Sequence, residues 1–245
     1  MDRKKYIREI YSRYWLNARE RIYGFSEYDK NLCRHICERI PKGRKILDVG
    51  IGTGYPLAEF FQKNGYHVYG IDISPELIKK CNALYPDISA KVGDAEELEY
   101  PDNYFDGSCC FHSTWYFTDL KKAIAEMIRV TCHGCLIIFD IENRNNKEIE
   151  NAYNKNLREA KGLGKYRKVF KNIAKMVLGQ GIPDWHFVVH EVPTYPHDVY
   201  QYLKECCYPN TFQVYVREDD DSLRAAQELS SFERYGRLVL VVLKS

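Results

Sequence analysis

The run Ile46-Leu47-Asp48-Val49-Gly50-Ile51-Gly52-Thr53-Gly54 sets an acid two positions ahead of a turn with three glycines. Glycine in a strand-to-helix turn lets a ligand approach the backbone closely. A dinucleotide cradle needs G-x-G-x-x-G, with free amides at the helix start to hold a pyrophosphate. Here the spacing is G-x-G-x-G, position 55 is Tyr, and Pro56 removes one amide. That suits a ligand without phosphates, and Asp48 beside the turn suits one that carries an ammonium group. Asp72 follows Gly50 by 22 positions, where an acid can accept both hydroxyls of an adenosine ribose. Asp94 and Ala95 fall where an adenine edge would lie. Phe111, His112 and Ser113 complete a crevice at the carboxyl end of a sheet, the usual ligand site of open α/β folds.

These residues need a scaffold, and the hydrophobic pattern supplies one. Strands are expected at 45–49, 67–72, 89–92, 105–111 and 136–140, too apolar to face water on either side. Helices are expected between them at 57–63, 75–84 and 120–130, the second capped by Ser74 with Pro75 at its first position. Helical spacing also marks 3–23 and 28–40. Such alternation is the sequence form of a parallel sheet covered by helices on both faces. It lapses from about 141 to 196, with helices expected near 147–161 and 166–178. It resumes with a helix at 197–206 and strands at 212–217 and 238–243. The chain is thus expected to be a single domain, 1–245. Within it, 1–29 forms a helical cap, 30–142 and 197–245 the core, and 143–196 an insertion.

Composition narrows the partners. The formal net charge is +2 and no basic run reaches the length of a nucleic-acid patch, so nucleic acid is not expected. No apolar run approaches the length of a membrane span, and the charged, aromatic N-terminus lacks a secretory pattern. A cytoplasmic protein without membrane contact is expected, as a monomer or homodimer. Nine cysteines are an odd number for a disulfide framework. Cys132 and Cys135 form a C-x-x-C, but reduced, structural thiols and no bound metal are expected. The acidic cluster Glu218 to Asp221 reads as a solvated loop.

Several of these motifs together resemble the class I S-adenosylmethionine-dependent methyltransferases, over about 30–142 and again over 197–245. ILDVGIGTG resembles the family's first motif and YGIDIS its second. VGDAEELEYPDNYFD resembles the stretch that leads into the fourth strand. AIAEMIRVTCHGCLIIF resembles the helix, turn and fifth strand that follow. The resemblance implies a Rossmann-like α/β fold: a seven-stranded, mostly parallel sheet with helices on both faces and an antiparallel last strand. It implies S-adenosyl-L-methionine as cofactor and S-adenosyl-L-homocysteine as product. Asp48 and the loop residues Gly50, Gly52, Thr53 and Gly54 would hold the methionine end, Asp72 the ribose, and Asp94 with Ala95 the adenine. Ile73 would pack on the adenine face, and Phe111 and His112 would complete the site. Tyr14, on an N-terminal helix, would fold over the cofactor as in many relatives.

Methyl transfer is an in-line displacement that needs alignment and, for a hydroxyl acceptor, a base. His112 has two readings: that base, or a contact to the methionine group. Many relatives carry a His four residues further on, where this chain has Tyr116, which is also a candidate. Trp115 and Tyr116 are candidate walls of the acceptor pocket. Trp185, His186, His190 and Tyr195, in or next to the end of the insertion, are candidate acceptor contacts. A small molecule or a sugar-like acceptor, methylated at oxygen, is the expected substrate. Methylation of nitrogen, sulfur or a metalloid, a non-catalytic cofactor-binding subunit, and a dinucleotide oxidoreductase are the alternatives.

Overall fold

The computed structural model describes residues 3–8, 16, 24–142, 146–162, 195–205, 212–226 and 237–244. Helix α1 is Arg3–Tyr6 and α2 is Glu27–Cys37, which starts with a capping box between Ser26 and Asp29. Strand β1 (Lys45–Val49) leads to α3 (Leu57–Lys63), and β2 (His67–Asp72) to α4 (Pro75–Leu84). The Ser74 hydroxyl caps α4 by accepting from the Leu77 amide. Strands β3 (Ser89–Val92) and β4 (Phe105–Cys110) precede α5 (Leu120–Val130), which Asp119 caps. Then follow β5 (Thr131–Glu142), α6 (Lys147–Gly162), α7 (Pro196–Glu205), β6 (Phe212–Arg217), β7 (Leu223–Ala226) and β8 (Arg237–Leu243).

The strands form one sheet in the order β3-β2-β1-β4-β5-β8-β6-β7. β1 to β5 run parallel, and β8 lies antiparallel between β5 and β6. Successive residues of a strand face opposite sides of the sheet, so each strand feeds two cores. Leu47, Val49 and Phe139 pack with Ala123, Ile124 and Met127 of α5. Ile46, Val68 and Ile138 pack with Leu32 of α2, Phe61 of α3 and Ile78 of α4.

Among the described residues the sheet has eight strands, not the expected seven. The additional one, β7, pairs antiparallel with β6 from Val214–Ala226 to Arg217–Leu223. Its four residues, Leu-Arg-Ala-Ala, are half-exposed and lack the alternation that marks a strand. The acidic cluster is the hairpin turn that makes this pairing: Glu218 N donates to Ser222 O at 3.0 Å. β5 also starts earlier than expected, with Cys132 and Cys135 in its irregular first turn, where Cys132 Sγ donates to Asn103 O at 2.8 Å. No helix among the described residues is long and apolar enough to cross a membrane.

Candidate functional site

A cleft of about 1030 Å³, counting its open mouth, lies where β1, β2 and β4 end. Four loops line it, and the first is the glycine turn. Gly50 N and Ile51 N both donate to Ile71 O, at 2.8 and 3.0 Å, which bends the chain away from the sheet. Gly50 has φ +84°, and a Cβ there would overlap the Ser113 hydroxyl and approach its Cβ to 2.7 Å. The turn therefore needs glycine on both conformational and steric grounds. Gly52 N donates to Asp72 Oδ2 at 3.0 Å, so the first loop and the end of β2 are tied together. Ser74 N donates to the other oxygen, Oδ1, at 2.9 Å.

Burial pushes the Asp72 carboxyl up to about 6, against the pull of these amide bonds. Each of its oxygens keeps a lone pair for a further donor. Thr53 is buried on the cleft wall and its Oγ1 has no hydrogen-bond partner among the described residues. A buried hydroxyl without a partner is uncommon and marks a place for a polar ligand atom. The wall carries four carboxylates, Asp48, Asp72, Asp94 and Glu96. Lys4 of α1 reaches the last two, at 2.6 Å from Asp94 Oδ2 and 2.8 Å from Glu96 Oε2. Acids on this scale repel a diphosphate and attract a sulfonium or ammonium. The residues thus fit a phosphate-free, cationic nucleoside.

Of the expected cofactor residues, Asp48, Gly50, Gly52, Thr53, Asp72, Ile73, Asp94, Ala95, Phe111 and His112 all line this cleft. Gly54 does not: it faces α4, where a Cβ would come within 2.8 Å of the Tyr85 ring and 3.0 Å of Cys81 Sγ. Its freedom serves close packing of loop on helix. Tyr116 lines the cleft, whereas Trp115 lies beside it, under the Arg237 guanidinium at 4.8 Å. Tyr195 is half-buried at the start of α7 and is not part of the wall. Tyr14, Trp185, His186 and His190 lie outside the described residues. Lys4, Ile7, Tyr55, Leu77, Glu96 and Phe117 line the cleft without having been expected there.

His112 stands just past β4 in a left-handed backbone conformation, φ +59°. Its Nε2 lies 2.6 Å from Asp29 Oδ1 of α2 and its Nδ1 3.1 Å from Asp140 Oδ2 of β5. Asp140 also accepts from Tyr28 Oη and from Arg237, each at 2.8 Å. Burial alone would raise the Asp140 carboxyl, but the Arg237 charge and the His112 bond hold it far below the carboxylate range. Burial likewise opposes the charge on Asp29, and the His112 bond again prevails. Ionised carboxylates only accept, so two of them beside the ring nitrogens favour the doubly protonated ring and raise its affinity for the second proton. Asp140 carried a signal in the sequence: an acid near the carboxyl end of an apolar strand, as Asp48 and Asp72 are of theirs. Asp29 and Arg237 carried none, because their contacts span 83 and 97 positions.

Sheet order, crossovers and a crevice at the carboxyl ends of β1, β2 and β4 define an open, Rossmann-like α/β fold. Comparison with known proteins then refines the class. Residues 47–139 match a family model described as a methyltransferase domain. Ajmaline N-methyltransferase of Rauvolfia serpentina is 37% identical over 103 residues, 40% of this chain and 35% of that protein. Malonyl-[acyl-carrier protein] O-methyltransferase of Erwinia billingiae is 32% identical over 98 residues, 40% of this chain and 39% of that one. The matches thus span well under half the length of these relatives. The fold extends further: an S-adenosylmethionine-dependent methyltransferase structure from Thermotoga maritima aligns over 99% of this chain and 97% of its own, with TM-score 0.61 and 16% identity. Residues 47–139 are thus similar to a methyltransferase domain, and the described residues share the fold of that solved structure.

Proposed function

We propose that the protein transfers a methyl group from S-adenosylmethionine to a small-molecule or glycan-precursor acceptor, with oxygen as the receiving atom. The observation that carries this reading is the acidic cleft at the strand ends, with Asp48, Asp72, Asp94 and Glu96 in its wall. Bound S-adenosylmethionine supplies a methyl group already activated on a sulfonium. Asp48, Gly50, Gly52 and the unpartnered Thr53 hydroxyl then hold the amino-acid end. Asp72 accepts the ribose hydroxyls, Asp94 and Ala95 meet the adenine edge, and Ile73 packs on its face. Gly54 supports this loop from behind. The protein's task is alignment and exclusion of water, and alignment alone supplies up to about 7–11 kcal/mol in ideal cases.

Because both nitrogens of His112 are committed to carboxylates, the ring contacts the methionine end rather than acting as a base. Tyr116, on the same wall, faces the acceptor. Residues 143–196 form the acceptor side, with Trp185, His186, His190 and Tyr195 as candidate contacts, and 1–29, with Tyr14, form the cap. Acceptor chemistry differs among relatives, which include N- and O-methyltransferases by name. Sulfur or metalloid transfer through a cysteine cluster finds no support among the described residues, since no described cysteine lines the cleft. Cys33, Cys109 and Cys110 are buried and held protonated by that burial, and the Cys81 thiol is pushed up to about 12.

Calorimetric titration of the full chain tests the reading. S-adenosylhomocysteine should bind with micromolar or better affinity and NAD should not compete. Preferential NAD binding, or no binding of S-adenosylhomocysteine, overturns it. With binding in hand, labelled S-adenosylmethionine and size-fractionated extract identify the acceptor by mass spectrometry of the product.

A further inference from the structure

We propose that Asp29 is a positioning residue for methyl transfer, holding His112 with Asp140 as a fixed imidazolium in the wall of the cleft. The inference rests on the methyltransferase reading for its purpose, but not for its geometry. Three observations carry it. The positive φ of His112, rare for a residue with a Cβ, turns the ring out of line with β4 and toward α2. Both ring edges are then occupied, by Asp29 at 2.6 Å and Asp140 at 3.1 Å. Both carboxylates are themselves anchored. Asp29 accepts from Ser26 N at 3.2 Å and Ser26 Oγ at 2.7 Å, and Asp140 from Tyr28 and Arg237.

The groups that face the ring are Asp29 and Tyr28 from α2, Asp140 from β5, Arg237 from β8, and Trp115 from the turn after β4. Two carboxylates balance one imidazolium and one guanidinium. Removing the ring proton would unbalance the set and press a nitrogen lone pair against a carboxylate oxygen. Burial favours the neutral ring, yet the two carboxylate bonds hold the proton more firmly than in a free imidazole. A ring that already holds both protons cannot accept one from a substrate. Its part is to fix the wall between Phe111 and Tyr116, and Asp29 makes α2 part of that wall.

The sign of the pH dependence separates this role from general base catalysis. A base works when neutral, so function would rise with pH through its titration. A charged clamp loses function when the ring deprotonates. The test follows the ring carbons of His112 by NMR in the full chain labelled at histidine, alongside S-adenosylhomocysteine affinity from pH 6 to 9. The wild-type ring should titrate at a higher pH than a free imidazole. In Asp29→Asn its midpoint should fall by about one unit, and binding should weaken by about tenfold at pH 8 but little at pH 6. Asp29→Glu should restore both. Ser26→Ala breaks the capping box while leaving Asp29 in place, so it should lower stability without moving the midpoint as Asp29→Asn does. A wild-type ring that titrates at or below the pH of a free imidazole, or an Asp29→Asn protein with an unchanged His112 midpoint, overturns the proposal. The NMR arm needs no ligand, so it decides the role of Asp29 even where the cofactor reading fails.

Discussion

Asp72 shows how one carboxyl can make ligand affinity depend on pH. Two backbone amides stabilise its charge, but burial outweighs them and pushes it up to about 6. In the ligand-free protein its ionisation therefore costs stability as pH rises from the ordinary aspartate range through 6. A ribose that donates two hydroxyl hydrogens favours the ionised form, so binding must drive off the proton below that pH. S-adenosylhomocysteine affinity should be flat above pH 6.5 and weaken by roughly tenfold per unit below 6, as linkage requires. Calorimetry in buffers of differing ionisation enthalpy should detect the released proton at pH 5.5. Asp72→Asn should bind weakly throughout and lose this slope; a slope that survives the substitution would assign the proton elsewhere.

At the scale of elements, the loop between β1 and α3 works because Gly50 can adopt φ +84° against Ser113. Gly50→Ala should lower stability by about 1–3 kcal/mol from strain and overlap, and weaken S-adenosylhomocysteine binding more than tenfold. Adding Ser113→Gly removes the overlap but not the strain, so thermal melts of the pair should show partial recovery. Complete recovery would mean that the backbone conformation at Gly50 carries no cost. The elements that position this loop were legible beforehand. α3, α4, α5 and β1 to β3 fall on their expected bounds, since caps such as Ser74 and apolar strands such as His67–Asp72 are local signals. β7 was not legible, because an edge strand of four half-exposed residues is made by its hairpin and partner rather than by its own pattern. The same division holds in the site. Asp48, Asp72 and Asp94 announce themselves by position at strand ends. Lys4 reaches the cleft across 90 positions, and no local pattern marks such a contact.

For the molecule as a whole, the set that holds His112 is also a closure device. Asp140 sits in the middle of the sheet with no exposure, and Arg237 comes to it from the first residue of β8, close to the other end of the chain. Tyr28 brings α2 to the same carboxylate. One buried acid thus joins the start of the fold, its centre and its last strand. Such an ion pair is a poor source of net stability, because desolvation offsets most of the attraction, but losing one partner strands the other. Arg237→Met should therefore destabilise the chain by about 3 kcal/mol in urea denaturation at pH 7, the lower end for breaking a buried pair, since the guanidinium is partly exposed. The pH dependence gives an independent check. Asp140 is held below its ordinary range, so its contribution is present above about pH 4 and is lost as pH falls further. Without Arg237 that depression shrinks, and the fall in stability between pH 5 and 3 should be shallower than in the wild type. An equally steep fall in Arg237→Met would show that His112 and Tyr28 alone hold the charge, and that the last strand is bound to the sheet by its ladder and apolar face alone.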